Sequence, residues 1–536
     1  SSTDFPIMIH KIHKGADLTN GYSVIGYRQS LHDYSEVEFP AEINDCEICH
    51  TGGIPTENFP MVASPSAVLV CDNSGRGETV LTWQHTAEVE VRVRTKSNPA
   101  GKLFARGGKT GSAPTGKWVK DGTFFDLYDF DSLELLQSVP VNATVLGCVS
   151  NAPGTFRGEA GAQHTNWLDH PSRLVCGSCH DGVDFETGEG HSDFNIIQPD
   201  DANCGNCHKP GTGNEFDRSI RGAHKPLYKS AQFPGVLVDI IEMTNTNPGD
   251  KPTVTFSIGS KNGKLNPGDL NRLRFAIAGP NDDFDVYFQE TVGTKAIAVG
   301  DYWSYTFETP LPADAEGSYT IAVEGRNNVT INLGGEDSSE RDQIENSLLA
   351  FAVTDAVAKP RRMVVDDYKC ESCHSNLSMH GGNRHNANYC ITCHRPTASD
   401  EKVRPMDKFP EQSIHFKYMI HKIHRGEDLE NGFVVYGYRG SLHDFSDVKF
   451  PGDLRNCDTC HVNNSQQLPL PAGLLPTMTP QLWWDPTMPT AAACLSCHDG
   501  DDAAAHAYAN TTFFGESCAT CHGEGKLAAV DKVHAQ

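Results

Sequence analysis

The chain has 536 residues, 21% of them charged, and a formal net charge of −25. An acidic surface excludes nucleic acid and anionic lipid as partners, tolerates cationic partners or positively charged minerals, and equally serves solubility. No apolar run is long enough to cross a membrane and no signal peptide is present, so the sequence reads as a mature or trimmed chain of three or four domains.

In chain order, the first informative stretch is 8–50, MIHKIHKGADLTNGYSVIGYRQSLHDYSEVEFPAEINDCEICH. It recurs at 419–461 without a gap, with 26 of 43 positions identical. Each copy ends in Cys-x-x-Cys-His, the attachment signal for c-type haem. The two thiols add to the haem vinyl groups, and the adjacent histidine becomes the proximal ligand of the iron. Each copy also carries three further histidines, His10, His13 and His32 matching His421, His424 and His443.

Residues 62–165 read as an insertion, because the first-half motif at 50 and the next at 180 stand much farther apart than their counterparts at 461 and 498. Strand-like runs at 67–71, 79–83 and 89–94 with Gly-rich breaks at 107–116 predict a small β element. It holds Cys71 and Cys148, the only cysteines outside motifs, which in an exported chain read as one disulfide.

The duplication then resumes. CGSCHDG at 176–182 matches CLSCHDG at 494–500, and CGNCH at 204–208 matches CATCH at 518–522. His191 pairs with His506 and His224 with His534. Residues 233–356 contain no Cys and no His, and about eight short apolar runs separated by Gly, Pro, Asn and Asp predict a β-sandwich or barrel. The last segment, 357–536, opens with two close motifs around HGGNRH at 380–385. The predicted order is a three-haem domain at 1–61 and 166–232, the insertion at 62–165, the β domain at 233–356 and a five-haem domain at 357–536.

Sixteen of 18 cysteines thus fall into eight motifs: Cys46 and Cys49, Cys176 and Cys179, Cys204 and Cys207, Cys370 and Cys373, Cys390 and Cys393, Cys457 and Cys460, Cys494 and Cys497, Cys518 and Cys521. Their proximal histidines are His50, His180, His208, His374, His394, His461, His498 and His522. Zinc would explain the spacing of Cys370, Cys373, Cys390 and Cys393, but not a histidine after every pair. Eight haem c groups are the predicted cofactors, and thioether attachment places the chain outside the cytoplasm.

The distal candidates are His10, His13, His32, His191, His224, His421, His424, His443, His506 and His534, which match between halves, with His380 and His385 competing between two motifs. His85, His164, His170 and His415 have no counterpart and read as non-ligands. Bis-histidine ligation leaves no open iron position, which suits electron transfer over substrate binding at the metal. Short helices and loops pinned by haem are expected around the motifs.

The repeated HKIH…Cys-x-x-Cys-His unit, the HGGNRH element and two multihaem segments flanking a β segment resemble the OmcA/MtrC family of outer-membrane, cell-surface multihaem cytochromes. The resemblance covers most of the chain apart from 62–165. It implies alternating β and five-haem domains, bis-histidine haems in a staggered cross and a lipid-anchored place on the outer face of the outer membrane. It also implies extracellular electron transfer to ferric minerals, soluble metals or flavins, fed by a porin-cytochrome conduit or other cytochromes.

The chain departs from the family pattern in lacking the first β domain, the first two haems and a lipid-attachment cysteine at its start. A continuation upstream of residue 1 is the favoured expectation, with a genuine eight-haem protein as runner-up. Two other functions compete: a multihaem reductase of a small nitrogen or sulfur substrate with one open haem, and a polymerising cytochrome whose spare histidines ligate a neighbour's haem.

Overall fold

The computed structural model describes residues 3–46, 49–50, 61–64, 67–70, 80–84, 89–95, 98–107, 110–115, 119, 123–129, 135–145, 166–192, 194–482, 484–512 and 514–534. The chain divides into two units, one comprising Ser1–Asp45 with Pro171–Gln536 and the other Cys46–His170.

In the first unit, ten strands lie between Leu237 and Ala352: β1 Leu237–Thr244, β2 Thr253–Ser260, β3 Gly263–Lys264, β4 Arg272–Gly279, β5 Val286–Thr291, β6 Ile297–Val299, β7 Tyr302–Thr306, β8 Ser318–Leu333, β9 Glu336–Gln343 and β10 Leu348–Ala352. They form two antiparallel sheets, β1-β2-β7-β6 with β3 beside β2, and β5-β4-β8-β9 with β10 beside β8. Alternation along β2 turns Val254, Phe256 and Ile258 inward, where they meet Leu273, Phe275 and Ile277 of β4 and Ile321 and Val323 of β8. The Tyr319 ring packs over Gly279, where a Cβ would lie 2.2 Å from it.

Residues 318–333 form one long strand, β8. Its first half is buried between β4 and β10, and its second half extends to pair with β9. β9, EDSSERDQ, gave no apolar signal because only Asp342 on it is buried; its register on β8 makes it a strand.

Helices in this unit are short, the longest being Phe5–Lys14 and Phe416–Arg425 at ten residues each among the described residues. No helix there is long and apolar enough to cross a membrane. The sequence duplication extends to backbone detail. Each helix stops at a glycine of positive φ, Gly15 (38°) and Gly426 (41°), where a Cβ would meet the carbonyl oxygen of Val37 or Val448 at 2.1 Å. Each is followed by a small hairpin, Ser23–Ile25 with Leu31–Asp33 and Val434–Tyr436 with Leu442–Asp444.

The strand-rich segment meets the later haem-motif segment at a buried charge cluster. Glu324 on β8 is fully buried, accepts from Arg272 and Arg384 at 2.5 Å each, and accepts from the Tyr389 hydroxyl at 3.0 Å. Burial alone would raise its carboxyl, but the hydrogen bonds and charges of Arg384 and Arg272 hold it below the usual carboxylate range.

The second unit carries a five-stranded sheet, in the order Ala67–Val70, Leu135–Val145, Thr123–Asp129, Val89–Thr95 and Asn98–Gly107, and a three-stranded sheet of Met61–Ser64, Val80–Gln84 and Thr110–Pro114. Leu81, Val89, Val91, Val119, Phe125 and Leu127 form its core. The Gly-rich stretch expected as breaks at 107–116 is largely strand; Thr110–Pro114 lies at a sheet edge, where Gly and Pro are tolerated. Cys71 and Cys148, and with them the expected disulfide, lie outside the described residues, as do His85 and His164.

Phe275 is fully buried, with its ring centroid 5.0 Å from that of Phe256 and the rings tilted by 56°, across the two sheets. Phe275→Ala should cost about 3–5 kcal/mol. Urea denaturation followed by circular dichroism should show the strand-rich segment unfolding at a lower midpoint; an unchanged midpoint would remove Phe275 from the core.

Candidate haem-ligand sites

In four motifs both cysteines sit on a short helix that ends at or just before the motif histidine, Arg173–Cys179, Cys204–Cys207, Asp367–His374 and Ala387–Cys393. Arg173–Cys179 is capped at its start by the Ser172 hydroxyl, and Ala387–Cys393 by the Asn386 side chain, so the two thiols are presented from one helical turn. The histidine follows as C-cap, at His180, His208 and His394.

Among the described residues, seven motif histidines face a second histidine. Ring centroids are 6.1 Å apart for His180 and His224, 6.3 Å for His208 and His191, and 6.0 Å for His374 and His424. They are 6.0 Å apart for His394 and His380, 6.0 Å for His461 and His421, 6.1 Å for His498 and His534, and 6.1 Å for His522 and His506. An iron bound by two imidazole nitrogens at about 2 Å each, with each nitrogen roughly 1 Å from its ring centre, sets the centroids about 6 Å apart. These side chains therefore fit a six-coordinate haem iron.

Hydrogen bonds orient the rings. Nδ1 donates to a backbone carbonyl in His191 (Ile196, 2.7 Å), His208 (Arg218, 3.3 Å), His224 (Ile220, 2.7 Å), His394 (Ile414, 2.7 Å), His424 (Ile420, 2.9 Å), His522 (Ala528, 2.8 Å) and His534 (Val530, 2.9 Å). Nδ1 of His421 bonds Ser496 Oγ at 3.0 Å, and that of His461 bonds Ser465 Oγ at 2.9 Å. With the proton on Nδ1, the Nε2 lone pair is left for a metal. Burial pushes His394 down to about 4 and His421 to about 3, so both imidazoles are neutral, as ligation requires.

Three distal candidates are built differently. Nε2 of His32 bonds Ser30 Oγ at 2.9 Å and Nε2 of His443 bonds Ser441 Oγ at 3.0 Å, each on an exposed hairpin strand. Nε2 of His385 accepts the Asn346 N–H at 3.2 Å. In all three the nitrogen a metal would need is engaged locally. Among the described residues the ring contact of His443 is to Phe445, not to a motif histidine. The five histidines facing motifs in 357–536 are therefore His380, His421, His424, His506 and His534, with His380 in the place that matching between halves had suggested for His443.

His13 reproduces His424. It lies on the equivalent helix, Nδ1 donates to Ile9 four residues back at 2.8 Å, and the ring meets Phe39 edge-on at 5.2 Å, as His424 meets Phe450 at 5.7 Å. His10 corresponds to His421 on the same helix. In the second unit the His50 ring lies 6.1 Å from Trp167. His170 is exposed, and His415 is buried with Nδ1 on Thr477 Oγ1 at 3.0 Å. Among the described residues no three His, Cys, Asp or Glu side chains converge as a metal cluster.

One residue type escaped the sequence reading, although the repeated HDG marks it. Asp181 accepts the backbone N–H groups of Thr19 and Asn20 at 2.9 and 2.8 Å, and Asp499 accepts those of Glu430 and Asn431 at 2.9 and 3.1 Å. The carboxylate after the motif histidine thus anchors the turn that follows the HKIH helix.

A family model described as outer membrane cytochrome MtrC/MtrF-like, domains II/IV, matches residues 362–535. Multiheme cytochrome MtrC of Shewanella baltica (strain OS185) is 26% identical over 307 residues, 53% of this chain and 38% of that protein. The chain therefore spans well under half the length of that curated relative. The crystal structure of the outer membrane decaheme cytochrome OmcA superposes with a TM-score of 0.51 at 16% identity, over 99% of this chain and 68% of that one, a likeness of fold. MtrC from Shewanella baltica OS185 aligns at a TM-score of 0.46 and 13% identity, over 86% of this chain and 97% of that one.

The pairing of His424 with His374 makes a specific expectation. His424→Ala should convert about one haem equivalent to high spin in the oxidised protein, read by electron paramagnetic resonance. His443→Ala, which removes an imidazole whose Nε2 is held by Ser441, should leave every haem low-spin; the reverse result would exchange the two roles.

Proposed function

We propose that the chain, whose residues 362–535 match a family model of MtrC/MtrF-like outer membrane cytochromes, is a member of the OmcA/MtrC family of multihaem c-type cytochromes and conducts electrons through eight bis-histidine haem c groups to acceptors outside the cell. The observation that carries this reading is the set of seven motif histidines, each about 6 Å from a second histidine.

In this reading the eight Cys-x-x-Cys-His motifs hold the haems by thioether bonds, with proximal ligands His50, His180, His208, His374, His394, His461, His498 and His522. The distal ligands are His224 for the His180 site, His191 for His208, His424 for His374, His380 for His394, His421 for His461, His534 for His498 and His506 for His522. Haem held by these residues would supply a one-electron carrier. The chain's part is to supply imidazoles held in fixed directions, nine of them through an Nδ1 hydrogen bond to a carbonyl or hydroxyl. Fixed ligands keep the change on accepting an electron small, which favours transfer over chemistry at the metal.

The haem segments are assigned to 1–61 with 166–232 and to 357–536, with the strand-bearing segments 62–165 and 233–356 as the other domains. Close motif pairs at 374 and 394, at 498 and 522 and at 180 and 208 place haems as sequence neighbours for hopping. The proposed setting is the outer face of the outer membrane or the medium, with other cytochromes or a porin-cytochrome conduit as electron donors. Ferric minerals, soluble metals or flavins are the proposed acceptors.

The test is a haem count with a spin count. Haem extraction against protein mass should give eight haems per chain of residues 1–536, and the oxidised protein should be entirely low-spin by electron paramagnetic resonance integrated against total haem. Voltammetry should show reversible waves that nitrite, hydroxylamine and tetrathionate leave unchanged. A stoichiometric high-spin haem together with a catalytic current would replace the conduit by a reductase.

A further inference from the structure

His380 differs from the other histidines that face a motif. His224, His424 and His534 stand at helix ends with the ring tied to the carbonyl four residues back. His380 stands in a loop with φ at 54°, in the left-handed region, followed by Gly381 and Gly382 at 76° and 78°. A residue with a Cβ persists there only where its surroundings over-determine the backbone.

Those surroundings come from the strand-rich segment. Arg341 on β9 donates to the Gly381 carbonyl at 2.8 Å, and Arg326 on β8 donates to Asn383 Oδ1 at 3.2 Å. Asn383 is buried and donates in turn to the His380 carbonyl at 2.9 Å. Asn346, between β9 and β10, accepts the His385 N–H at 2.9 Å and donates to the Asn383 carbonyl at 3.0 Å. Arg384 closes the loop onto Glu324 of β8. A Cβ on Gly382 would lie 2.6 Å from the side-chain amide nitrogen of Gln343 on β9, so the loop backbone lies against that side chain.

We propose that the strand-rich segment is the holder of one axial ligand: β8 and β9 clamp the HGGNRH loop so that His380 meets the iron bound by His394, and releasing the clamp opens that iron. This rests on the axial pairing of His380 with His394 proposed above. Arg326, Arg341 and Asn383 are positioning residues. Each acts on the backbone or a side chain of the loop, and none of their contacts described above is to His394. The segment is thereby more than a spacer, since the coordination of one haem depends on its contact with the loop.

The experiment uses the full holoprotein carrying His385→Gln, so that the adjacent imidazole does not substitute. Arg326→Ala/Arg341→Ala in this background should show a high-spin ferric signal of about one haem equivalent, abolished by added imidazole, while all other haems stay low-spin. His380→Ala in the same background should give the same signal. A fully low-spin Arg326→Ala/Arg341→Ala protein beside a high-spin His380→Ala protein would overturn the clamp and leave the pairing standing. A fully low-spin His380→Ala protein would overturn the pairing, and the clamp with it.

Discussion

The structure depends on how an imidazole is made into a directed donor. A free histidine tumbles and offers either nitrogen. Here Nδ1 of His191, His208, His224, His394, His421, His424, His461, His522 and His534 is given to a carbonyl or hydroxyl, which leaves Nε2 as the remaining lone pair. Four histidines obtain this from one device, a hydrogen bond to the carbonyl four residues back: His13, His224, His424 and His534. The helix itself sets the ring direction, so a helix of a turn or two suffices.

This explains why the haem-motif segments contain so little regular structure. Tyr418, Leu429, Phe433 and Val435 form one small core there, and Ala491, Leu495, Ala507 and Tyr508 another. The strand-rich segment has nineteen buried hydrophobic residues in a single core. One part of the chain is organised by apolar burial between two sheets. The other is organised around facing pairs of histidines and the capped turns that present them.

The junction between these regimes is polar. Glu324 with Arg272, Arg384 and Tyr389 puts charge where two apolar surfaces would otherwise slide. A buried ion cluster of this sort adds little net stability over a hydrophobic replacement, because desolvation offsets the Coulomb gain. What it gives is register: a guanidinium fork accepts few geometries, and Arg384 belongs to the same loop as His380.

The sequence by itself determined the covalent chemistry, the duplication and the strand-rich middle. These are local or periodic signals: a five-residue motif, a 43-residue repeat and a period-two alternation such as that of β2. It also narrowed the distal ligands to a short set. What only the tertiary structure decided was which of them face a motif. His443 and His380 are equally histidine in sequence, and matching between halves favoured His443, yet its Nε2 is held by Ser441 on an exposed strand while His380 stands 6.0 Å from His394. Likewise β9 carries no apolar pattern, and its state is set by β8 beside it. Ligand pairing and strand pairing are both contacts between residues far apart in the chain, and residue type records what a side chain can do, not which partner the fold brings within reach.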